Sequence, residues 1–453
     1  MSMHQPAFLR SAARCSMAFL AAAFVLLVSP AADATNIERT LSPGGIEIWL
    51  VRDVTVPLIA VDFAFRGGAA QDPADKLGVG SMVLDLLDEG AGVLDANAFH
   101  ELMECKAIEL RFHIGRDHIR GTLRTLKENQ DEAFELLRLS LTAPQFEANA
   151  IERIRAQVMS ELQHQTMTPS NIASRTWWDT AFPGHPYARQ VNGTLETVPR
   201  ITADDLRAYA RRVFARDTLK VAVVGDIDAA TAGRLIDSTF GSLPAKAELL
   251  PVPSATPQGL GRRIVFDLDV PQTSVTFGGS GIAPDDPDFM AAYIVNHIFG
   301  GGSLSSRLFR EVREKRGLAY GISDRLVWLD QTAVMIGGTA VRADATGEAI
   351  DVIDDQVRKM AMDGPTAEEL TKAKTYLKGS FELELDSSTK IASQLVTMQL
   401  DQLGIDYIEH RSALIDAVTL ADTKRVAKRM LDGGLLYTVV GRSKDITSKR
   451  AER

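Results

Sequence analysis

The chain has 453 residues, of which 45% are hydrophobic and 24% charged, and its formal net charge is −9 at pH 7. This balance is typical of a globular protein of two or more domains, and the acidic sign argues against nucleic acid or an anionic membrane as a partner. Residues 1–34 predict a secretory signal peptide, because Arg10 and Arg14 precede an apolar run at 17–28 and Ala-Asp-Ala at 32–34 fits a cleavage site. We therefore expect a periplasmic or secreted protein that is cleaved near Ala34 and does not bind a membrane afterwards.

The remaining sequence contains two similar halves, with a period of about 215 residues. Residues 198–226 predict a helix that is capped by Thr202 and followed by a strand ending in Val-Val-Gly, and residues 418–442 repeat this order with Thr419 at the cap. Other predicted elements also recur: strands at 59–65 and 273–277, each followed by Asp-Pro, and long helices at 147–165 and 366–385.

This repetition predicts an α+β fold of two homologous domains in a clam-like arrangement. Each domain would be a largely antiparallel sheet packed with helices. Residues 35–243 would form the first domain and residues 262–453 the second. Residues 244–261 are rich in Pro, Ala and Gly and lack periodicity, which indicates a linker between the domains.

The most distinctive stretch is GGGSLSSRLFREVREKRGLAYGI at 300–322. Its glycines permit a tight turn, Ser303 is the expected helix N-cap, and Gly317 ends the helix before a strand that carries Tyr320. Helical spacing predicts a core-facing stripe and a solvent-facing side. The stripe is Leu304, Leu308 and Val312, and the solvent-facing residues are Arg307, Arg310, Glu311 and Glu314.

This stretch resembles the pitrilysin/insulinase/mitochondrial processing peptidase family of inverzincins, as do FPGHPY at 182–187 and NGT at 192–194. The resemblance covers nearly the whole chain after residue 34. It implies that Arg313 and Tyr320 hold the substrate backbone and stabilise the oxyanion, for which two strong hydrogen-bond donors are suited. Outside such a motif, an Arg near a helix end and a Tyr on a strand more often have only structural roles.

Catalytic members of the family carry H-x-x-E-H on a helix, with a further Glu ligand later in the chain. Aligned on Leu-Gly-Val at 77–79, the first His position is Ser81, the general-base position is Leu84 and the second His position is Asp85. The distal Glu position falls at or near Glu161. Leucine cannot take a proton from water, and a serine with two carboxylates does not form a catalytic zinc site, so we predict no metal in this chain.

Two other groups of residues have simpler interpretations. Asp85, Asp88 and Glu89 have a spacing that could place carboxylates for Ca²⁺ or Mg²⁺ on one helix face, but we interpret them as a solvated helix end before Gly90. His185 lies in a Pro-Gly-x-Pro turn and is expected to be structural. Trp177 and Trp178 are expected to pack in the core.

The presence of the Arg/Tyr pair without the metal motif resembles the inactive subunit type of this family. The resemblance implies a non-catalytic, substrate-binding subunit of a heterodimeric zinc metalloendopeptidase that degrades peptides or unfolded segments. No cofactor is expected in this chain, and zinc is expected in a homologous partner subunit. Two alternatives stay open: a peptide-binding or scaffold protein without a proteolytic role, and a self-sufficient peptidase with a rewired site.

Overall fold

The structure, a computed structural model, describes residues 36–442. The predicted signal peptide at 1–34 therefore lies outside the described residues, as does the end of the second predicted domain. Within the described part of the chain, no helix combines the length and apolar character that a membrane span requires.

The first half of the chain forms a six-stranded sheet in the spatial order β1-β2-β8-β3-β7-β6, in which β2 and β8 run parallel. Strand β3 pairs antiparallel with both β7 and β8. The strands of this half are β1 (Ile37–Leu41), β2 (Glu47–Arg52), β3 (Leu58–Arg66), a small hairpin of β4 (Gly90–Ala91) and β5 (Leu94–Asp95), β6 (Glu109–Ile114), β7 (His118–Leu126) and β8 (Lys220–Gly225). The helices are α1 (Val79–Leu84), α2 (Ala96–Cys105), α3 (Gln130–Thr142), α4 (Ala148–Met167), α5 (Pro169–Ala181), α6 (Ala203–Val213) and α7 (Ala229–Phe240).

The second half forms a five-stranded sheet in the order β11-β12-β10-β13-β9, in which β13 and β9 run parallel and the other pairs antiparallel. Its strands are β9 (Arg263–Asp267), β10 (Gln272–Ser280), β11 (Ala319–Leu329), β12 (Thr332–Arg342) and β13 (Leu436–Gly441). Its helices are α8 (Phe289–Asn296), α9 (Thr346–Asp363), α10 (Ala367–Leu383), α11 (Ser388–Leu400), α12 (Tyr407–Ala417) and α13 (Leu420–Leu431), with wider π-helical turns at His297–Gly301 and Phe309–Glu314.

The two sheets have the same topology, which confirms the predicted duplication. The order β2-β8-β3-β7-β6 in the first corresponds strand by strand to β9-β13-β10-β12-β11 in the second. Each half has its own hydrophobic core between sheet and helices. The predicted caps at Thr202 and Thr419 are present, each with an Asp three residues later that completes a capping box.

Each half lends one helix to the sheet of the other half. Helix α5 packs on β10 and β13, where Trp177 Nε1 donates to the carbonyl of Leu436 at 3.2 Å. Helix α11 packs on β3 and β8, where Gln399 Nε2 donates to the carbonyl of Val221 at 2.9 Å. This exchange explains why β3 and β8 are buried on both faces: their own helices cover one face and α11 covers the other.

A buried charge pair fixes the second of these contacts. Asp62 on β3 is only 2% exposed and accepts from Arg120 Nη2 at 3.0 Å. The same guanidinium donates to the carbonyl of Ser393 at 2.9 Å and to the hydroxyl of Thr397 at 3.1 Å, both on α11. The charge of Arg120 is thus shared between its own sheet and the helix of the other half.

The predicted linker at 244–261 is extended and contains no helix or strand. It runs past the end of α5 and the hairpin between β11 and β12, since Gln258 N donates to Ala181 O at 2.8 Å and Ala255 N to Gln331 O at 3.0 Å. Because the two halves exchange helices, the exact limits of the two domains stay predictions.

The helix that carries Arg313 begins later than predicted. Ser303 does not cap it but lies in a short turn with a φ of +48°, and Ser306 takes the cap position, accepting from the Phe309 amide at 3.3 Å. Over Phe309–Glu314 the backbone forms a π-helix. In a π-helix the hydrogen bonds join residues i and i+5, and successive residues are rotated less about the helix axis than in an α-helix. The buried and exposed faces of the helix therefore shift relative to the predicted ones.

The predicted faces of this helix were therefore partly wrong. Leu304 precedes the helix and is 65% exposed, whereas Leu308 and Val312 are buried as predicted. Arg307 and Glu311, predicted on the solvent side, are 8% and 9% exposed. Both are buried with partners of opposite charge, which compensate the loss of hydration.

Arg307 anchors this helix to the start of α10. Its Nε and Nη2 donate to the two carboxylate oxygens of Glu369 at 2.7 and 2.5 Å, and Nη2 also donates to Gly364 O at 3.0 Å. Partial burial would raise the pKa of Glu369, but hydrogen bonds from Arg307 and Thr366 outweigh it and lower the pKa to about 2. This two-pronged ion pair therefore stabilises the segment that ends in Arg313.

We expect Glu369→Gln to lower the free energy of unfolding by about 2 kcal/mol at pH 7, because it leaves a buried guanidinium without its anion. The folded pKa of Glu369 lies below its ordinary value of 4.5, so its contribution is present above that pH and is lost as the pH falls towards 2. Urea unfolding at pH 7, 4.5 and 3.5 should show the gap between wild type and variant narrowing with acidification. Glu368→Gln is the control, since the pair of Glu368 with Lys372 is exposed; an equal loss in both variants would contradict this role.

Candidate functional site

Helix α1, which carries the degenerate metal-motif positions, is fixed at its start by Asp72. This buried carboxylate accepts from the amides of Gly78 at 2.7 Å and Gly80 at 3.1 Å. Burial raises the pKa of Asp72 to about 7, against the lowering effect of these two backbone donors. Gly78 has a φ of +91°, a conformation that favours glycine, so the chain can turn sharply into the helix here.

The four residues aligned with the zinc motif all line one pocket of about 650 Å³ between α1, β6 and α4. Ser81 and Leu84 lie on α1, Asp85 follows it, and Glu161 comes from α4. The hydroxyl of Ser81 donates to the side-chain oxygen of Asn192 at 3.3 Å. Glu161 is exposed and accepts from the side chain of Gln165 at 2.9 Å.

The donor set of this pocket does not fit a catalytic zinc ion. Its lining contains no histidine among the described residues, and Leu84 stands where a general base would be. The side chain of Asp85 reaches solvent but lies within a concave surface. The partial burial there, together with the charge of Asp88, raises the pKa of Asp85 to about 6. The pocket therefore offers the carboxyl groups of Asp85 and Glu161 at positions where catalytic members have a histidine and a glutamate.

One carboxylate in the lining of this pocket, that of Glu89, is already engaged by an arginine. The ligand atoms of Asp88, Glu89 and His100 lie within 4.8 Å of one another. Arg153 binds both oxygens of Glu89, so its guanidinium takes the position of a counterion. This agrees with a salt-bridged helix end. The proximity of His100 comes from the following helix, α2, and the spacing of the acidic residues gave no sign of it.

Arg313 and Tyr320 lie together at a second pocket, of about 830 Å³, in the other half of the chain. The guanidinium carbon of Arg313 is 4.7 Å from the centre of the Tyr320 ring and 4.9 Å from that of Phe309. Tyr320 is 87% exposed. The pairing of β11 with β12 is irregular between Ala319 and Ile322, and such a bulge turns the intervening side chain away from the sheet.

The structural interpretations of His185 and the two tryptophans agree with their contacts. His185 Nδ1 accepts from the Tyr187 amide at 3.1 Å, which closes a short turn. Trp177 is fully buried between the two halves. Trp178 also contacts Arg116, whose guanidinium carbon lies 3.7 Å from the centre of the Trp178 ring. This contact was not predicted.

Asn192 and Arg116 are the site residues that the sequence did not reveal. Asn192 lies in the NGT motif and contacts Ser81, but its motif carried no chemical signal beyond a turn. Arg116 precedes β7 and meets Trp178 only because the chain between them folds back. Each contact joins residues that are far apart in the sequence, so no local pattern predicts it.

The comparisons with known proteins agree with this layout. Residues 48–195 match the family model described as insulinase (peptidase family M16), and residues 200–377 match the model described as peptidase M16 inactive domain. The chain is 28% identical to the non-peptidase homolog YmxG of Helicobacter pylori over 76% of its length and 78% of the relative's. It is 24% identical to the probable mitochondrial-processing peptidase subunit beta of Schizosaccharomyces pombe over 92% of its length and 93% of the relative's.

Among solved structures, the crystal structure of a peptidase M16 inactive domain from Pseudomonas fluorescens is similar, with a TM-score of 0.84 and 25% identity. The match covers 90% of this chain and 98% of that one. The two family models together span most of the described residues, and the second begins within the first half of the chain and continues into the second half. The chain belongs to the M16 peptidase family.

Proposed function

We propose that this chain is a non-catalytic, substrate-binding subunit of a heterodimeric zinc metalloendopeptidase. The observation that carries the proposal is the contrast between the two pockets. The first has lost the general base and both imidazoles, at Leu84, Ser81 and Asp85. The second keeps Arg313 and Tyr320 in contact with each other and open to solvent.

In this proposal, Arg313 and Tyr320 act on a peptide whose scissile bond lies at the partner's metal. The guanidinium and the phenol hydroxyl are hydrogen-bond donors, and negative charge develops on the carbonyl oxygen of a peptide bond under attack. The stacking of Arg313 between Phe309 and Tyr320 limits the motion of the cation, which favours a preformed donor site. The exposure of Tyr320 leaves its ring accessible to a second molecule.

The proposed partner is a homologous subunit with an intact H-x-x-E-H motif, which would hold the zinc ion. Support comes from the similarity to a mitochondrial-processing peptidase subunit, a protein named as one part of an assembly. The predicted signal peptide at 1–34 gives a periplasmic or secreted location for the complex. Peptides or unfolded segments are the proposed substrates.

A scaffold or peptide-binding role without proteolysis is the second candidate. It is favoured by the similarity to a relative named as a non-peptidase homolog. The two candidates differ in one observable: only the first requires that the chain increase the hydrolytic turnover of a zinc-bearing partner. A neighbouring coding sequence with an intact metal motif would identify that partner.

Arg313→Ala and Tyr320→Phe should leave the complex assembled and lower its kcat on peptides by roughly 10- to 100-fold each, because each removes one donor from the transition state. Steady-state kinetics on the co-purified complex, with size-exclusion chromatography for assembly, would measure both effects. Arg211→Ala and Tyr376→Phe are matched controls, since both side chains are exposed and lie outside the two pockets. Unchanged turnover in the first two variants would remove the catalytic-assist role.

The alignment of Ser81, Leu84 and Asp85 with the zinc motif can be tested by restoring the motif residues at these three positions. The triple variant Ser81→His, Leu84→Glu and Asp85→His should bind one zinc ion per chain, because the three positions and Glu161 line the same pocket. Metal analysis after dialysis would measure the content, and adding Glu161→Gln should weaken zinc affinity by about tenfold or more. A folded triple variant without zinc, or one that is indifferent to Glu161, would show that these residues do not correspond to the metal ligands.

A further inference from the structure

A third pocket, of about 830 Å³, lies between the two halves of the chain. One wall is α5 with the loop at 188–196, and the opposite wall is formed by β11 and β12. Leu162 and Asn192 line both this pocket and the emptied metal pocket, so the two adjoin. A ligand in the third pocket would therefore lie next to the place where catalytic relatives hold their metal.

Arg116 gives this pocket its chemistry. Its guanidinium is stacked 3.7 Å from the ring centre of Trp178, and its Nε donates to the carbonyl of Tyr187 at 2.9 Å. Within residues 36–442, neither Nη atom forms a hydrogen bond; the carboxyl groups of Asp117 and Asp179 interact with the guanidinium electrostatically but lie beyond ion-pair distance. Burial lowers the pKa of Arg116 to about 10, which leaves it cationic at pH 7. A largely desolvated cation with two free donors faces a cavity.

Three further arginines and three acidic residues line the pocket. Arg175 and Arg325 are exposed in its walls and form no ion pair with any described residue, and Arg189 uses one Nη to bind the carbonyl of Asp72. The acidic residues of the lining are Asp179, Glu196 and Asp324.

Among these acidic residues, Asp324 is buried in the wall of the pocket. It is 5% exposed, accepts from the Asn296 side chain at 2.7 Å, and its Oδ2 has no partner among the described groups. Burial raises the pKa of Asp324 well above its ordinary value. Four guanidinium groups and three acidic side chains thus line the pocket, in a chain whose formal net charge is −9.

We propose that this pocket binds carboxylate groups of a peptide, so that the chain selects acidic substrate segments. A guanidinium with two free donors matches a carboxylate in a bidentate geometry. Ile172, Trp178, Val327 and Ile336 supply apolar surface for the aliphatic part of a peptide side chain. The carboxylate could come from Asp or Glu side chains or from a peptide C-terminus. This proposal rests on the proposed function, because it names the substrate class of the proposed substrate-binding subunit.

Binding of fluorescein-labelled decapeptides to the purified chain would test this, using fluorescence anisotropy at low and high salt. One peptide carries three glutamates and an amidated C-terminus, a second has glutamines and a free C-terminus, and a third has glutamines and an amidated C-terminus. We expect the first or the second to bind roughly tenfold more tightly than the third, and which one does so identifies the source of the carboxylate. Binding should weaken as salt rises.

Variants of the pocket arginines test whether the carboxylate-dependent binding takes place in this pocket. Arg175→Gln combined with Arg325→Gln should weaken the carboxylate-dependent binding by roughly 5- to 30-fold, and Arg116→Lys should weaken it by removing the planar fork while keeping the charge. Arg211→Gln, on the solvent face of α6, is the control and should have no effect. Equal binding of all three peptides, indifference to the pocket arginines, or competition by millimolar inorganic phosphate as effective as by the acidic peptide would overturn the assignment.

The outcome is separable from that of the proposed function. If the acidic peptide shows no preference while Arg313→Ala still lowers turnover of the complex, only the pocket assignment is wrong. If acidic peptides bind at this pocket while Arg313 and Tyr320 have no effect on turnover, the catalytic-assist role is wrong and the chain is a peptide-binding protein.

Discussion

Each sheet of the chain is covered on one face by a helix that belongs to the other half, and the rest of the architecture depends on this exchange. Helix α5 carries Trp177 onto the second sheet, and α11 carries Gln399 onto the first. Buried Asp62 ties the second contact to Arg120, whose other donors reach α11. Separating the halves would expose both sheet faces and break the hydrogen bonds from Arg120 to α11, so the hydrophobic effect and these hydrogen bonds both favour the packed arrangement.

The exchange of helices also forms the walls of the arginine-lined pocket. Because α5 lies on the second sheet, its polar face and the strands β11 and β12 enclose the arginine-lined pocket. The same placement sets that pocket against the emptied metal pocket, through Leu162 and Asn192. Arg313 and Tyr320 depend on a different anchor, the ion pair of Arg307 with Glu369, which secures the helix before β11. The position of Arg313 and Tyr320 thus depends on contacts that are separate from those of the emptied metal pocket.

Much of the fold followed from patterns that are local in sequence. The duplicated order of elements, the caps at Thr202 and Thr419 and the extended linker all depend on nearby residues, and periodicity reports them directly. The alignment of Ser81, Leu84, Asp85 and Glu161 also brought together residues that line one pocket. The helix exchange was not predictable, because the apolar faces of α5 and α11 have the same pattern whether they cover their own sheet or another.

The misplacement of Ser303, Leu304, Arg307 and Glu311 has a specific cause. The prediction assumed an α-helix with 3.6 residues per turn starting at Ser303, whereas the helix starts after Ser306 and widens into a π-helix. Arg307 and Glu311 are charged, and a sequence pattern assigns such residues to solvent unless their partners are known. Their partners include Glu369 from another helix and Arg316 from beyond the helix end, so tertiary contacts decided their burial.

The central claim is that this chain has lost the metal-binding half of an M16 site and cannot hydrolyse peptides alone. The most direct test is metal analysis of the purified chain after exposure to zinc and dialysis, combined with a peptide-cleavage assay with and without a chelator. The account predicts far less than one zinc ion per chain and no chelator-sensitive cleavage. One tightly held metal ion per chain, together with cleavage that chelation abolishes, would contradict it.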